Sequence, residues 1–382
     1  MWLNILLIVT FCLFVLYAII ILFYRKWFLQ LQQFQRPSTF QPEIRFSVII
    51  PARNEEKNIG NCLQSILQQN YPSSLFEIIV VDDYSTDETN STVQQIQRSN
   101  SNLLLISLKE ELKDEVVNSY KKKAIEYAIS RANGDFIVTT DADCVVQKNW
   151  LLNFAAYIQQ AQSVFVAAPV AFTRTKTVLS TFQYLDFMVL QGITAASVSA
   201  GFHSMCNGAN LCYKRSVFYE VDGFKGIDNI ASGDDMLLMN KIKNAYPGKI
   251  GYLFSKEAIV ETAPMPTWQA FINQRIRWAS KADKYDDKTI FFVLALVYVY
   301  NSLLVAMPFI AIFKPILFVY WVAFVAAKII VELIFIIPLG KFFGKTLWYW
   351  FITLQPVHIT YTVIAGWLGK FGSYQWKGRQ VK

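Results

Sequence analysis

The sequence is poor in histidine, with only His203 and His358 in 382 residues, and it has five cysteines, Cys12, Cys62, Cys144, Cys206 and Cys212, none in a CxxC pair. So few imidazole and paired thiol ligands leave a zinc site without support. An odd cysteine count with no framework spacing excludes a disulfide scaffold and fits a reducing compartment. Charge is also scarce: 17% of residues are charged against 54% hydrophobic, too apolar for an ordinary soluble enzyme. Most of the chain has no basic excess. Residues 1–287 hold basic and acidic side chains in equal number, and the net charge of +8 belongs to residues 288–382, where nine Lys and Arg face the single acid Glu332. The pI near 9.0 is therefore a membrane-flank signal, and no nucleic-acid partner is expected. Internal repeats and low-complexity tracts are absent.

What is present falls into apolar and mixed segments. Leu3 to Tyr24 is apolar except for Asn4 and Thr10, long enough at about 1.5 Å per residue to cross a bilayer. Arg25 and Lys26 follow the apolar run, the reverse of a signal peptide, so residues 1–26 read as a retained anchor with the next domain in the cytoplasm. Residues 27–44, with Pro37 and Pro42, read as a linker. After 288 the chain is apolar again, with expected spans at Ile290–Phe313 and Ile316–Leu339. A third candidate, Leu347–Leu368, is interrupted by Gln355-Pro356-Val357-His358, so 288–369 holds two to three helices before a basic tail at 370–382. Three crossings would put that tail outside, against the positive-inside bias, so the segment around Gln355 is either re-entrant or an exception. The whole reads as a multi-pass protein of the cell's inner membrane, with the bilayer as a partner. Residues 178–200, broken by Gln183, Asp186 and Gln191, are too polar for a comfortable span and read as a helix of the cytoplasmic domain, with a membrane-surface helix as the alternative.

Between 45 and 287 strands and helices alternate. Phe46–Pro51, Phe76–Val81, Leu103–Ile106 and Asp135–Thr140 are short runs rich in β-formers, while Asn58–Gln69, Asp87–Arg98 and Lys121–Arg131 carry helical periodicity. This pattern predicts an α/β domain with a largely parallel sheet, whose ligands sit beyond the strand C-termini.

Five polar clusters lie at such positions. Pro51-Ala-Arg53-Asn-Glu55-Glu56 follows the first strand, where free N–H groups at a helix start would favour an anion, although a plain turn reads the same way. Asp82-Asp83 ends the second strand, where a carboxylate can accept a pyrimidine N–H or a ribose hydroxyl; Asp87 or Ser85 reads as a helix cap. Asp141-Ala142-Asp143 follows the fourth strand. Two acids at i and i+2 on extended chain point the same way, and such a pair beside a diphosphate suits Mg²⁺ or Mn²⁺. Ser232-Gly233-Asp234-Asp235 precedes a helix, so Asp235 is a candidate general base and equally a candidate cap. Gln274, Arg277 and Trp278 are spaced i, i+3, i+4 on one helix. Arg277 suits a leaving diphosphate and Trp278 a sugar face, while the alternative is a juxtamembrane anchor, which would not call for Gln274.

Taken in order, these motifs resemble the membrane-bound family-2 glycosyltransferases of the GT-A fold, the group of ceramide glucosyltransferases and chitin, cellulose and hyaluronan synthases. The similarity covers about residues 45–285. It implies a Rossmann-like mixed sheet that binds a nucleotide-sugar donor, with N- and C-terminal transmembrane helices. Pro51 and Arg53 resemble the start of the nucleotide loop, with Glu55 and Asp82 beside them, and Asp83 the uracil-binding acid. Lys121 resembles the lysine near the diphosphate. Asp141 and Asp143 resemble the D-x-D motif, with Asp143 the direct ligand of a divalent metal. Gly208 and Asn210 resemble the segment lining donor and acceptor. Asp235 resembles the catalytic base, and Gln274, Arg277 and Trp278 the Q-x-x-R-W motif. One departure is Asp234, where the family usually has Glu.

The implied reaction is inverting transfer of a sugar, from a UDP-sugar, to a hydroxyl of a lipid or lipid-linked acceptor. A processive polysaccharide synthase and an inactive membrane scaffold are the alternatives. The former normally wants more membrane helices, and the intact acids argue against the latter. A nucleotidyltransferase would want glycine in the loop after the first strand, and Pro51–Glu56 has none.

Overall fold

A computed structural model describes residues 1–112, 119–173, 176–228, 230, 233–281, 287–344 and 347–372, and the backbone alone of 374–376 and 379–381. The chain forms two compact units.

The first is built from residues 32–173 and 204–263. Its strands are β1 (Phe46–Ala52), β2 (Phe76–Asp82), β3 (Leu103–Ser107), β4 (Phe136–Thr139), β5 (Cys144–Val145), β6 (Phe165–Ala167), β7 (Val170–Phe172), β8 (Leu211–Lys214), β9 (Ile250–Tyr252) and β10 (Val260–Thr262). Seven of them make one sheet in the order β3-β2-β1-β4-β8-β6-β9, and β5-β10-β7 make a small second sheet. The four leading strands are parallel, whereas β8 runs antiparallel to β4 and β6. Continuous β-branched runs explain the sheet's centre. Val48–Ile50 and Ile78–Val81 are buried on both faces, as parallel strands require. The helix Ile59–Leu67 turns Ile59, Cys62, Leu63 and Ile66 to the core.

Pro51 sits in a central strand, which is unusual. The β1–β4 ladder ends at Ile49 opposite Thr139, so at Pro51 only β2 remains paired, through Val81. The missing N–H falls on the side that β4 has already left. Gly134 is fixed by close approach. Its N–H donates to Ser47 Oγ at 2.9 Å, and an added Cβ would meet Ser47 N at 2.5 Å and Phe46 C at 2.6 Å. Gly134→Ala is expected to destabilise the protein by about 1–3 kcal/mol, read as a lowered thermal midpoint. An unchanged midpoint would show that β1 yields there at no cost.

The second unit comprises residues 1–31, 174–203 and 264–382. Among the described residues three of its helices are long and apolar enough to cross a membrane: Trp2–Gln30, Lys288–Ala311 and Ile316–Phe343. The third expected C-terminal segment is two helices, Trp348–Thr353 and Gln355–Phe371. The break falls where Gln355 is drawn into a buried polar cluster and Pro356 opens the new helix. Gln355 accepts from Lys328 Nζ at 3.1 Å and donates to Glu332 Oε2 at 2.7 Å, while Lys328 pairs with Glu332 at 2.6 Å and Tyr17 donates to the same carboxylate.

The segment read as a helix of the cytoplasmic domain is the helix Val178–Ser199, and it packs with this unit instead. Its polar residues are buried and partnered there, which removes the objection raised by their polarity. Gln183 bonds both ways with the Met265 backbone, and Asp186 pairs with Arg275 at 2.6 Å. The sheet unit is therefore formed from two stretches of chain, 32–173 and 204–263.

Candidate active site

Parallel strands deliver their C-terminal ends to one rim of the sheet, and there β1, β2 and β4 release the loops that carry Arg53, Asp83 and Asp141. Because β8 is antiparallel, its N-terminal end reaches the same rim. Thr139 Oγ1 donates to Gly208 O at 2.9 Å and binds the two segments together.

The first two loops zip to each other. Asn54 N donates to Ser85 Oγ at 3.0 Å, Glu55 N to Thr89 Oγ1 at 2.7 Å and Glu56 N to Asp87 Oδ2 at 3.1 Å, and Thr86 N returns a bond to Asn54 Oδ1 at 2.8 Å. The N–H groups expected to bind an anion are thus taken up by the neighbouring loop. Glu55 also accepts from Asn58 at 2.9 Å. Burial raises the Asp87 carboxyl, but bonds from Thr89 and the Glu56 backbone outweigh it and hold the pKa below 3.8. This contribution to the loop pair is present above pH 3.8 and lost as pH falls through the lower folded value. Arg53 Nη1 donates to Asp83 O at 2.8 Å and lies 3.9 Å from its carboxylate. Asp82 turns back on its own loop, accepting from Ser85 N at 3.3 Å and Asn90 at 3.4 Å. Tyr84, between them, has φ +55°, an uncommon conformation for an aromatic residue.

Lys121, in the first turn of the helix Tyr120–Arg131, gathers the acids. Its ammonium lies 2.9 Å from Asp141 Oδ1 and 3.3 Å from Asp234 Oδ2. Burial lowers its pKa, but Asp141, Asp234 and Asp235 more than offset this and hold it above the ordinary lysine value. The departure at Asp234 is thereby given a place: this carboxylate is the second partner of Lys121.

Asp235 is the N-cap of the helix Met236–Ala245, accepting from Met236 N at 2.7 Å, and its other oxygen accepts from Gly208 N at 3.1 Å. The capping reading of Asp235 is therefore realised, and each oxygen keeps a further lone pair for chemistry. A Cβ on Gly208 would stand 3.3 Å from Asp234 Oδ2 and 3.4 Å from Lys121 Nζ, so a side chain there would crowd the cluster. Ser232 lies outside the described residues.

Asp141-Ala142-Asp143 is a turn, closed by Cys144 N donating to Asp141 O at 3.1 Å, and not the extended chain expected. The strand ends at Thr139, opposite Leu211 at the start of β8. Both acids still share one neighbourhood. The buried thiols of Cys62 and Cys144 are raised first by burial and then by the charges of Asp143 and Asp141. Among the described residues no three His, Cys, Asp or Glu converge as a metal cage would need. Two hard carboxylates nevertheless fit the usual Mg²⁺ or Mn²⁺ pattern, in which phosphates and water complete the shell. The Asp141 side chain is 38% exposed and open to such a partner.

Asn210 is enclosed by protein. Fully buried, it donates to Pro169 O at 2.7 Å and Ala258 O at 2.8 Å and accepts from Trp150 Nε1 at 2.9 Å, so it ties the segment before β8 to three others.

Gln274, Arg277 and Trp278 lie on the helix Trp268–Ala279 of the other unit. Sequence reasoning passed over Arg275 between them, which is buried and paired with Asp186. The signal was available in its spacing from Phe271 and Trp278, i−4 and i+3, which puts a cation between two aromatic rings.

The model of the family described as Glycosyl transferase family 2 matches residues 47–221, and that of Glycosyl transferase family group 2 matches residues 136–367. The poly(ribitol-phosphate) beta-N-acetylglucosaminyltransferase TarS of Staphylococcus aureus is 35% identical over 120 residues, 31% of this chain and 20% of that protein. A dolichyl N-acetyl-alpha-D-glucosaminyl phosphate 3-beta-D-2,3-diacetamido-2,3-dideoxy-beta-D-glucuronosyltransferase of Methanococcus voltae is 33% identical over 110 residues, 28% of this chain and 32% of that one. The chain thus spans a third or less of these relatives. The solved mannosyltransferase PcManGT of Pyrobaculum calidifontis, in complex with GDP-Man and Mn²⁺, shares the fold with a TM-score of 0.61 at 20% identity, over 95% of this chain and 99% of that one.

Proposed function

The chain belongs to glycosyl transferase family 2, and from that premise we propose an inverting, metal-dependent enzyme that moves a sugar from a UDP-sugar to a hydroxyl of a lipid or lipid-linked acceptor at a membrane. The observation that carries this reading is the cluster of Asp141, Asp234 and Asp235 about Lys121, beside Gly208 at the sheet's rim.

In this reading Asp83, its loop held by Arg53, receives the base N–H. Asp235 takes the proton of the acceptor hydroxyl, whose oxygen attacks the anomeric carbon from the face opposite the diphosphate. The anomeric C–O bond breaks and its electrons leave with the nucleoside diphosphate. Lys121 turns from Asp141 to the phosphate oxygens. Asp143 and Asp141 would hold a divalent cation, which supplies charge to the departing diphosphate when bound. The resemblance gives Gln274, Arg277 and Trp278 a part in turnover.

The lipid acceptor draws support from the three apolar helices and from the dolichyl-linked substrate in the name of the Methanococcus voltae relative. Arg25 and Lys26, after the apolar run of the first helix and within its last turns, favour a cytoplasmic catalytic domain in a multi-pass protein.

The test is purified protein in lipid vesicles, given Mn²⁺ and radiolabelled UDP- and GDP-sugars in turn. Label is expected in the organic phase with a UDP-sugar, and chelation is expected to abolish it. Polymeric aqueous product would replace the acceptor, and use of GDP-sugars alone would replace the donor. In the same assay Asp143→Ala should lose metal-dependent donor binding, and unchanged metal dependence would remove Asp143 from its role.

A further inference from the structure

The buried guanidinium of Arg275 touches two side chains of the Q-x-x-R-W motif at once. It lies over the Trp278 ring at 4.1 Å and the Phe271 ring at 4.8 Å, and Nη1 donates to Gln274 Oε1 at 3.3 Å. Nη2 is bound to Asp186 Oδ2 at 2.6 Å, and the other oxygen of Asp186 accepts from Tyr361. His358 stands 3.8 Å from that same oxygen. Phe187, next to Asp186, packs on Trp278 with ring centroids 6.0 Å apart.

A buried charge costs several kcal/mol unless it is paired, and a pair alone is weak ground for stability. Pinning Arg275 to Asp186 has a geometric result, however. One planar group fixes the rotamer of Gln274 by hydrogen bonding and the plane of Trp278 by stacking. Only arginine does both, because its fork donates in one plane while its face stays open to a ring.

We propose that Arg275, anchored by Asp186 and Tyr361, is a positioning residue for glycosyl transfer, holding Gln274 and Trp278 in their working orientation. This rests on the reading that Gln274 and Trp278 take part in turnover. Lysine at 275 can keep the ion pair with Asp186 but cannot also cover the indole and reach Gln274.

The test uses full-length protein in lipid vesicles labelled with 5-fluorotryptophan, the Trp278 resonance being assigned by its loss in Trp278→Phe. Arg275→Lys is expected to lower kcat by roughly tenfold to a hundredfold, the usual scale for a misplaced group. Donor KM should stay within about twofold of its original value and the Trp278 fluorine resonance should move. Asp186→Asn keeps the side chain's size and removes its charge. It should move the same resonance with a smaller fall in kcat, and it carries the test alone if Arg275→Lys does not fold. Gln274→Ala and Trp278→Ala are run in parallel. If both retain full turnover, the motif's part in catalysis fails and this inference with it. If they lose turnover while Arg275→Lys and Asp186→Asn keep wild-type kcat and an unmoved resonance, the positioning role alone is overturned.

Discussion

Asp235→Asn is expected to lower turnover by about 10²–10⁴-fold, the usual range for a lost general base, with donor binding retained. The structure makes this substitution informative, because asparagine is itself a good helix N-cap. Its amide oxygen can keep the bond from Met236 N, so the helix Met236–Ala245 should survive. The second oxygen, which accepts from Gly208 N, becomes an NH₂ and leaves that N–H without its acceptor. A stability cost of about 1 kcal/mol follows, far below the catalytic loss. Turnover and donor affinity measured together separate the two effects. Near-normal turnover in folded protein would reduce Asp235 to a cap. Loss of donor binding in parallel with turnover would mark it as part of the donor pocket.

The second large effect is expected at Lys121. Its ammonium is the internal counterion of Asp141, Asp234 and Asp235, and Asp141 is also a proposed metal ligand. Lys121→Met leaves those carboxylates facing one another. Without donor, Mn²⁺ should then bind more tightly, by roughly tenfold, equivalent to ~1.4 kcal/mol. With donor, kcat/KM should fall about a hundredfold, since a preorganised cation has been taken from the diphosphate. Opposite signs for metal affinity and activity are the signature. Titration of free Mn²⁺ by electron paramagnetic resonance reads the first, and steady-state rates the second. Unchanged Mn²⁺ affinity would separate Lys121 from the metal site. The raised pKa adds a condition: the part of the cluster's stability that depends on the Lys121 proton is fully present below pH 10.5 and is lost as pH rises through the higher folded value.

The parallel core was legible because its strands are continuous β-branched runs. Phe46–Pro51 and Phe76–Val81 extend by one residue each in the structure, to Ala52 and Asp82. The strands β6, β7, β9 and β10 were not legible, being three residues each, too short for a period of two to register. Motif position was also readable, since a polar residue at the end of a buried strand must emerge at the rim. The use of each polar atom was not. Asn210 looked like a pocket residue, yet its amide is enclosed by Trp150, Pro169 and Ala258, which the sequence keeps far apart. The N–H groups after β1 looked free, yet residues some thirty positions on accept from them.

By itself the amino-acid order determined the α/β alternation, the three long apolar helices, the glycosyltransferase resemblance and which acids stand at strand ends. These follow from hydrophobic period and local chemistry, which are properties of neighbours along the chain. Tertiary structure alone decided that Lys121 joins Asp141 to Asp234, that Val178–Ser199 packs with the apolar helices, and that Arg275 is paired with Asp186. Each of these depends on which distant groups meet where water is excluded, and a buried polar atom takes whatever partner the fold brings within about 3 Å.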